Sequence, residues 1–370
     1  MKDLAHIFLG ANSSEGFYSL YDQLLTARLD DLLILKGGPG CGKSSFMRRV
    51  AEALTEAGEE AIFIHCSGDP DSLDGVIIPA LRTALVDGTS PHILEPVYAV
   101  ACERYVDLTC FYDVEGVKMR REEVILGTDT YRAAYRDAYR ALRAASAVEV
   151  QRRAEVSTAM DFDRLARRID GIARRELRGK SGRRGSVQRA FLGGTTHRGA
   201  ICRFDTVDAL CPRVYALCDS YGLGAQALET LCDAALQAGE NVLLCPDPDH
   251  PEQAQHLLLP RRGLAFVTST DRLPYPGEPY RRLRLDAMAE ASLTRAQKSK
   301  LRFAARIEHS LRDEAVKSLD RAKHAHDELE TLYNPFVNFA GVYALAAQEA
   351  QCLLNRRGQT ERPGIDAQQS

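Results

Sequence analysis

Residues 32–44 read Leu-Leu-Ile-Leu-Lys-Gly-Gly-Pro-Gly-Cys-Gly-Lys-Ser. An apolar run of strand length meets a glycine-rich turn, and Ser45-Phe46-Met47-Arg48-Arg49-Val50-Ala51 follows with helical spacing. Strand, glycine loop and helix in that order are the context in which G-x-x-x-x-G-K-S reads as a phosphate-binding loop, or P-loop. Phosphate oxygens must reach backbone N–H groups, so side chains have to be absent where the loop curves. Gly37, Gly40 and Gly42 meet that need, and Gly38, Cys41 and Ser45 belong to the same expected cradle. The helix opening near Lys43 points its positive end at the anion. Lys43 is expected on the β- and γ-phosphate oxygens, and the Ser44 hydroxyl on Mg²⁺. The ligand this implies is ATP or GTP with Mg²⁺. No N/T-K-x-D guanine signature occurs to choose between the two.

A Mg²⁺ site needs a carboxylate from a second strand end, and Thr83-Ala84-Leu85-Val86-Asp87 before Gly88 offers Asp87. A further apolar strand, residues 61–66, runs into Ser67-Gly68-Asp69-Pro70-Asp71-Ser72-Leu73-Asp74-Gly75. Ligands of open α/β sheets sit beyond the carboxyl ends of the strands. Asp69 or Asp71 is therefore a candidate for positioning water or accepting a proton from a substrate hydroxyl. The alternative is that this segment is turn and helix-cap chemistry. His92 faces the same side, and its position suits a loop residue better than a catalytic one. Cys41 reads as a small residue that fits the loop.

The rest of the composition sets bounds. The chain has 370 residues and a net charge of −3, which disfavours an overall attraction to nucleic acid or membrane. No signal peptide and no membrane-length apolar stretch is legible, so a soluble, cytoplasmic protein is expected. Ten cysteines lack any C-x-x-C pair, which disfavours a zinc or dithiol site.

The chain also repeats itself. Ala5-His6-Ile7-Phe8-Leu9-Gly10 with Gly16 and Asp22 has a counterpart in Gln188-Arg189-Ala190-Phe191-Leu192-Gly193 with Gly199 and Asp205. Cys66 with Asp69-Pro70-Asp71 is echoed by Cys245 with Asp247-Pro248-Asp249, and Met160-Asp161-Phe162 by Val337-Asn338-Phe339. Glu103-Arg104-Tyr105 is set against Glu278-Pro279-Tyr280. The second loop, Ser220 to Gln226, keeps Gly222 and Gly224, but Ala225, Gln226 and Thr268 stand where the first copy has Lys43, Ser44 and Asp87. The second copy is expected to be nucleotide-dead.

The reading is an α/β chain made of duplicated P-loop NTPase-type three-layer modules, each with a mainly parallel sheet and an appended helical hairpin. Residues 1–178 form the first module, its hairpin at about 121–178. Residues 179–187 are a basic linker, 188–355 the degenerate repeat, and 356–370 a disordered tail. In the first hairpin Tyr131, Tyr135 and Tyr139 recur at helical spacing and are expected to pack. The basic residues Arg174 to Arg184 read as a solvated linker.

With these residues in hand, the chain resembles an uncharacterised family of bacterial tandem P-loop ATPases. The likeness rests on F-L-G-A-N-S-S-E-G-F-Y-S-L-Y-D at 8–22, L-K-G-G-P-G-C-G-K-S-S at 35–45, C-S-G-D-P-D-S-L-D-G-V-I-I-P at 66–79 and V-D-G-T-S-P-H at 86–92. It implies a P-loop fold and ATP binding with Lys43 and Ser44 in their roles. Members of the family typically carry a recognisable P-loop in both copies, and this chain departs from them there. The leading expectation is an ATPase that couples nucleotide to a conformational change. The alternatives are a kinase for a small-molecule acceptor, with Asp69 or Asp71 as base, and a nucleotide sensor acting through a protein partner. No arginine finger can be singled out among Arg48, Arg49, Arg82 and Arg104.

Overall fold

The computed structural model describes residues 3–27, 29–179 and 182–360. The first half runs β1 (Asp3–Ile7), β2 (Gly10–Ser13), β3 (Gly16–Ser19), α1 (Gln23–Thr26), β4 (Asp31–Lys36), α2 (Lys43–Glu56), β5 (Ala61–His65), β6 (Leu73–Ile78), β7 (Thr83–Asp87) and β8 (Glu103–Asp107). It continues as α3 (Val114–Met119), α4 (Arg121–Ser157) and α5 (Phe162–Glu176). The second half runs β9 (Val187–Arg189), β10 (Gly193–Thr196), β11 (Gly199–Cys202), α6 (Phe204–Leu210), β12 (Arg213–Cys218), α7 (Ala225–Gln237), β13 (Val242–Pro246), β14 (Ala254–Leu259), β15 (Leu264–Ser269) and β16 (Arg281–Arg284). It closes with α8 (Leu285–Glu290), α9 (Arg295–Tyr333) and α10 (Phe339–Thr360).

Each half builds a six-stranded sheet, ordered β1-β5-β6-β7-β4-β8 in the first and β9-β13-β14-β15-β12-β16 in the second. The two orders match strand for strand. In both, one strand (β6 or β14) runs antiparallel to its neighbours and the remaining pairings are parallel. The register sets Leu35 opposite Asp87 and Leu217 opposite Thr268, in keeping with the loop alignment drawn from sequence. It also moves one alignment. Val106 stands opposite Leu35 as Leu283 stands opposite Leu217, so β8 and β16 correspond two residues away from the register that Glu103 and Glu278 suggest.

Leu32 to Leu35 are all buried, as an uninterrupted apolar strand requires when both faces of its sheet are covered. Leu33 and Leu35 face a core with Phe46, Met47, Val50 and Leu54 of α2. Leu32 and Ile34 face a cluster that also holds Val214, Ala216, Ala265 and Val267 of the second sheet. The inner face of each sheet is thus shared with the other half, so neither half is a self-contained three-layer module. Phe8 and Phe191, which the duplication sets opposite one another, exchange backbone hydrogen bonds of 2.9 and 2.8 Å. Reciprocal bonding of equivalent residues is what an approximate two-fold relation demands.

The expected hairpins do not form. α4 instead packs along α9, and its neighbour α5 goes to the other half. Small buried residues explain the pairing: Ala134, Ala138 and Ala145 on α4 and Ala315, Ala322 and Ala325 on α9 let two long axes come close. The apolar stripe Leu165, Ile169 and Ile172 of α5 lies in the second half's core, with Leu228, Leu231 and Ala235 of α7. Conversely, Val342, Ala346, Ala350 and Leu353 of α10 complete the core of the first half. Glu349 of α10 accepts two hydrogen bonds from Arg104 beside β4, at 3.0 and 2.7 Å. Each half therefore receives its last core helix from the other.

Residues 356–360 continue α10 and do not belong to a tail, while 361–370 lie outside the described residues, as do Lys180 and Ser181 of the expected linker. All ten cysteines are free. Among the described residues no helix is long and apolar enough to cross a membrane.

Candidate functional site

The loop between β4 and α2 has the backbone its glycines predict. Gly40 and Gly42 take φ of +68° and +86°, a region that side chains rarely adopt. A Cβ on Gly37 would lie 2.4 Å from Cys41 Sγ, so the tight curl excludes one there as well. α2 starts at Lys43 and gives the loop the positive end of a 14-residue helix. Lys43 Nζ donates to the carbonyls of Gly37 and Gly38, each at 3.0 Å, and stands 3.6 Å from Asp87 Oδ2. Asp87 Oδ1 is fixed by the Thr89 N–H at 2.8 Å and its hydroxyl at 2.5 Å. Ser44 Oγ accepts from the Leu73 N–H at 3.0 Å, which leaves its own proton free to turn.

Gly37 to Ser44 and Asp87 line one cavity of about 770 Å³. Ser45 is exposed and does not line it, because the first turn of α2 rotates its side chain outward. Cys41 is buried, and burial pushes its thiol pKa up, so it is an inert part of the wall. Asp69 lines the cavity but is ion-paired with Lys323 of α9 at 3.4 Å. Asp71 does not line it. It is exposed and paired with Arg198 of the second half, because the turn after Asp69 points it away. The tyrosines of α4 are not plain packing residues: Tyr131, Tyr135 and Tyr139 all line the cavity, and Tyr139 donates to Asn12 Oδ1 at 3.1 Å. His92 and Asp74 complete the wall, both buried.

The roof comes from both halves. Lys323, His326, Asp327, Glu330 and Tyr333 of α9 stand over the loop beside the α4 tyrosines. Glu330 Oε1 accepts from the Gly40 N–H at 3.2 Å, so a carboxylate already rests on a loop amide. α4 and α9 run antiparallel, and their far ends roof a second cavity of about 200 Å³. There Arg312 joins Glu149, Asp249 and Glu308 in one buried network. Burial alone would raise Glu149, but His250 and Arg312 outweigh it and hold its carboxyl well below the ordinary range. Such oligoionic clusters are costly to break from one side.

The second loop is filled from within. Asp219 stands where the first copy has Gly37, and its carboxylate accepts from the N–H groups of Leu223 at 2.8 Å and Gly224 at 2.7 Å. Asp286 accepts from the Ser220 N–H at 2.8 Å. The amides that a phosphate would need are therefore held by two carboxylates of the chain. The loss of lysine, hydroxyl and carboxylate was legible in the sequence. Asp219 was equally visible there, as an acid in place of a loop glycine.

Burial, with help from Asp219, pushes Asp286 up to about 7. Its folded-state pKa thus exceeds the unfolded value. Its contribution to stability is full below about pH 4 and is lost as pH rises to about 7, where the native state must carry the charge. Asp286→Asn keeps the acceptor for Ser220. It should stabilise the fold by about 1–2 kcal/mol near pH 8, after discounting for partial solvent access, and by only about a third as much near pH 5, where the window has just opened. Urea melts of both proteins at the two pH values check this, and an equal effect at both would contradict it.

Comparison with protein-family models, with curated proteins and with solved structures returned no match. What defines the chain is its own architecture: two α/β halves with the same strand order, mostly parallel sheets, and one open and one filled glycine loop.

Proposed function

We propose that this chain binds a nucleoside triphosphate, ATP in the first instance, in the cavity at Gly37–Ser44 and couples its hydrolysis to movement of the α4/α9 pair. The observation that carries the reading is the convergence of four features in one cavity: the left-handed glycines, the α2 N-terminus, Lys43 and Asp87. The donors fit the ligand. Loop N–H groups and Lys43 suit phosphate oxygens, and the oxygens of Ser44 and Asp87 suit Mg²⁺. When bound, Mg²⁺ would neutralise charge on the β- and γ-phosphates. The coupling follows from the roof. Phosphate on the Gly40 amide competes with Glu330, and α9 carries any displacement to the second cavity, about 30 Å away along the helix. A kinase reading with Asp69 or Asp71 as base has less support, since one is ion-paired and the other lies outside the cavity.

Calorimetric titration of the whole chain with MgATP, with phosphate release followed in parallel, tests the proposal. One equivalent bound and a measurable release rate are expected. One equivalent bound with no release would make it a nucleotide sensor. Two equivalents would mean that Asp219 does not block the second loop.

A further inference from the structure

We infer that Asp74 is the carboxylate that positions and deprotonates the attacking water, and that Tyr21 and His92 hold it in place. The inference rests on the nucleotide reading above and assigns a role to a cluster that reading leaves unused. Asp74 is the second residue of β6, and the N–H of its neighbour Leu73 is bonded to Ser44 Oγ, so its backbone is tied to the metal-binding end of the loop. Its side chain is buried at 5% exposure and lines the cavity. Oδ2 accepts from the Tyr21 hydroxyl at 3.3 Å and faces His92 Nε2 at 3.1 Å. Oδ1 takes no hydrogen bond from the described residues, so one oxygen is locked and the other is available. His92 is wedged between the rings of Phe17 and Tyr21, at 4.9 and 4.8 Å between centroids. Its Nδ1 has no partner among the described residues, so nothing competes with Asp74 for the imidazole. Burial alone would lower the His92 pKa, but the carboxylates of Asp74 and Asp87 outweigh both burial and Lys43 and raise it, which favours an imidazolium donor.

The duplicated half supplies the control. Strand register sets Asp74 against Gln255, the same offset carried past β7 and β15 sets His92 against Leu273, and the Phe8–Phe191 match sets Tyr21 against Phe204. The carboxylate, imidazole and phenol hydroxyl are absent from these positions in the half whose loop is filled, where Gln255 leaves only a neutral amide, together with the lysine, hydroxyl and carboxylate of the phosphate site. A cluster needed only for packing has no reason to disappear with the phosphate ligands. In the reaction, the water oxygen bonds to the γ-phosphorus as the bond from that phosphorus to the β-bridging oxygen breaks. The electron pair leaves on the nucleoside diphosphate. The water proton passes to Asp74 Oδ1 and from there to solvent.

The test measures MgATP affinity and phosphate release separately on four variants. Asp74→Asn keeps the hydrogen-bonding shape, so it should fold and bind within about threefold of the parent, while kcat falls by about 10²–10⁴. His92→Leu and Tyr21→Phe should each lower kcat with KM little changed, and His92→Gln, which can still donate, should recover part of the loss. Release by Asp74→Asn within twofold of the parent would overturn this inference and leave the nucleotide reading intact. Absence of MgATP binding and release in the unaltered chain would overturn both.

Discussion

Lys43→Ala should abolish MgATP binding by the intact chain, lowering affinity by at least about 100-fold. Two effects add. The charge-assisted hydrogen bonds from Nζ to phosphate are each worth roughly 1.5–3 kcal/mol, and a tenfold loss needs about 1.4 kcal/mol. The lysine also screens Asp87, whose Oδ2 lies 3.6 Å from Nζ, and without it that carboxylate repels the phosphates. The fold should survive, because Nζ otherwise bonds only to the carbonyls of Gly37 and Gly38 at the cavity wall and weakly to Cys41. Calorimetry beside a thermal melt separates the two. Retained affinity with an unchanged melt would remove the loop from the nucleotide site altogether.

The second large effect concerns the exchanged helices. Cutting the chain within residues 179–186 and producing the halves separately should give two species that do not fold alone and that assemble on co-expression. The first fragment keeps α4 and α5 but loses α9 and α10, so the side of the α2 core that Val342, Ala346, Ala350 and Leu353 cover is opened. The second keeps α10 but loses the α5 stripe of Leu165, Ile169 and Ile172. At about 1.5–3 kcal/mol for each large side chain, the α5 stripe with Met160 and Val156 is worth of order 10 kcal/mol. That is the size of a whole domain's net stability, so its loss cannot be absorbed. Size-exclusion chromatography and near-ultraviolet dichroism of each fragment read the result. A monomeric first fragment with a cooperative melt would show that the exchange is dispensable. On the same grounds Ile169→Ala in the intact chain should cost about 2–5 kcal/mol, measured in urea.

The glycine loop, its flanking strand and helix, and the repeat were legible because each is written in local pattern. Residues 32–36, 61–66 and 83–87 are apolar runs between turns, and the structure makes each of them a strand. β6 was not legible. Its opening Leu73-Asp74-Gly75 looks like the end of an acidic turn, and Gly75 weakens a strand on propensity. The reason for that glycine is tertiary: a Cβ would stand 2.9 Å from Ile64 Cδ1 and 3.0 Å from the Leu85 carbonyl. Missing β6 also hid Asp74 in favour of Asp69 and Asp71. The helices were found, but their partners were not, because an apolar stripe states that a face is buried and is silent about what buries it. The tyrosine stripe shows the same limit, as its spacing fits a core and a cavity wall equally well.

The crossed positions of α5 and α10 bear on how such a chain could arise and why it keeps both halves. Two copies of one module that swap their last helix form a symmetric dimer, and joining them end to end changes little. Once joined, the copies need no longer be equal. One can lose its phosphate chemistry to an aspartate such as Asp219 while still supplying α9 and α10 to its neighbour. Its loop became free to drift, but the half itself did not become removable. Synthesis carries the same imprint. The first sheet leaves the ribosome long before α10, the helix that finishes its core, so the first half closes late, whereas the second finds α5 already made.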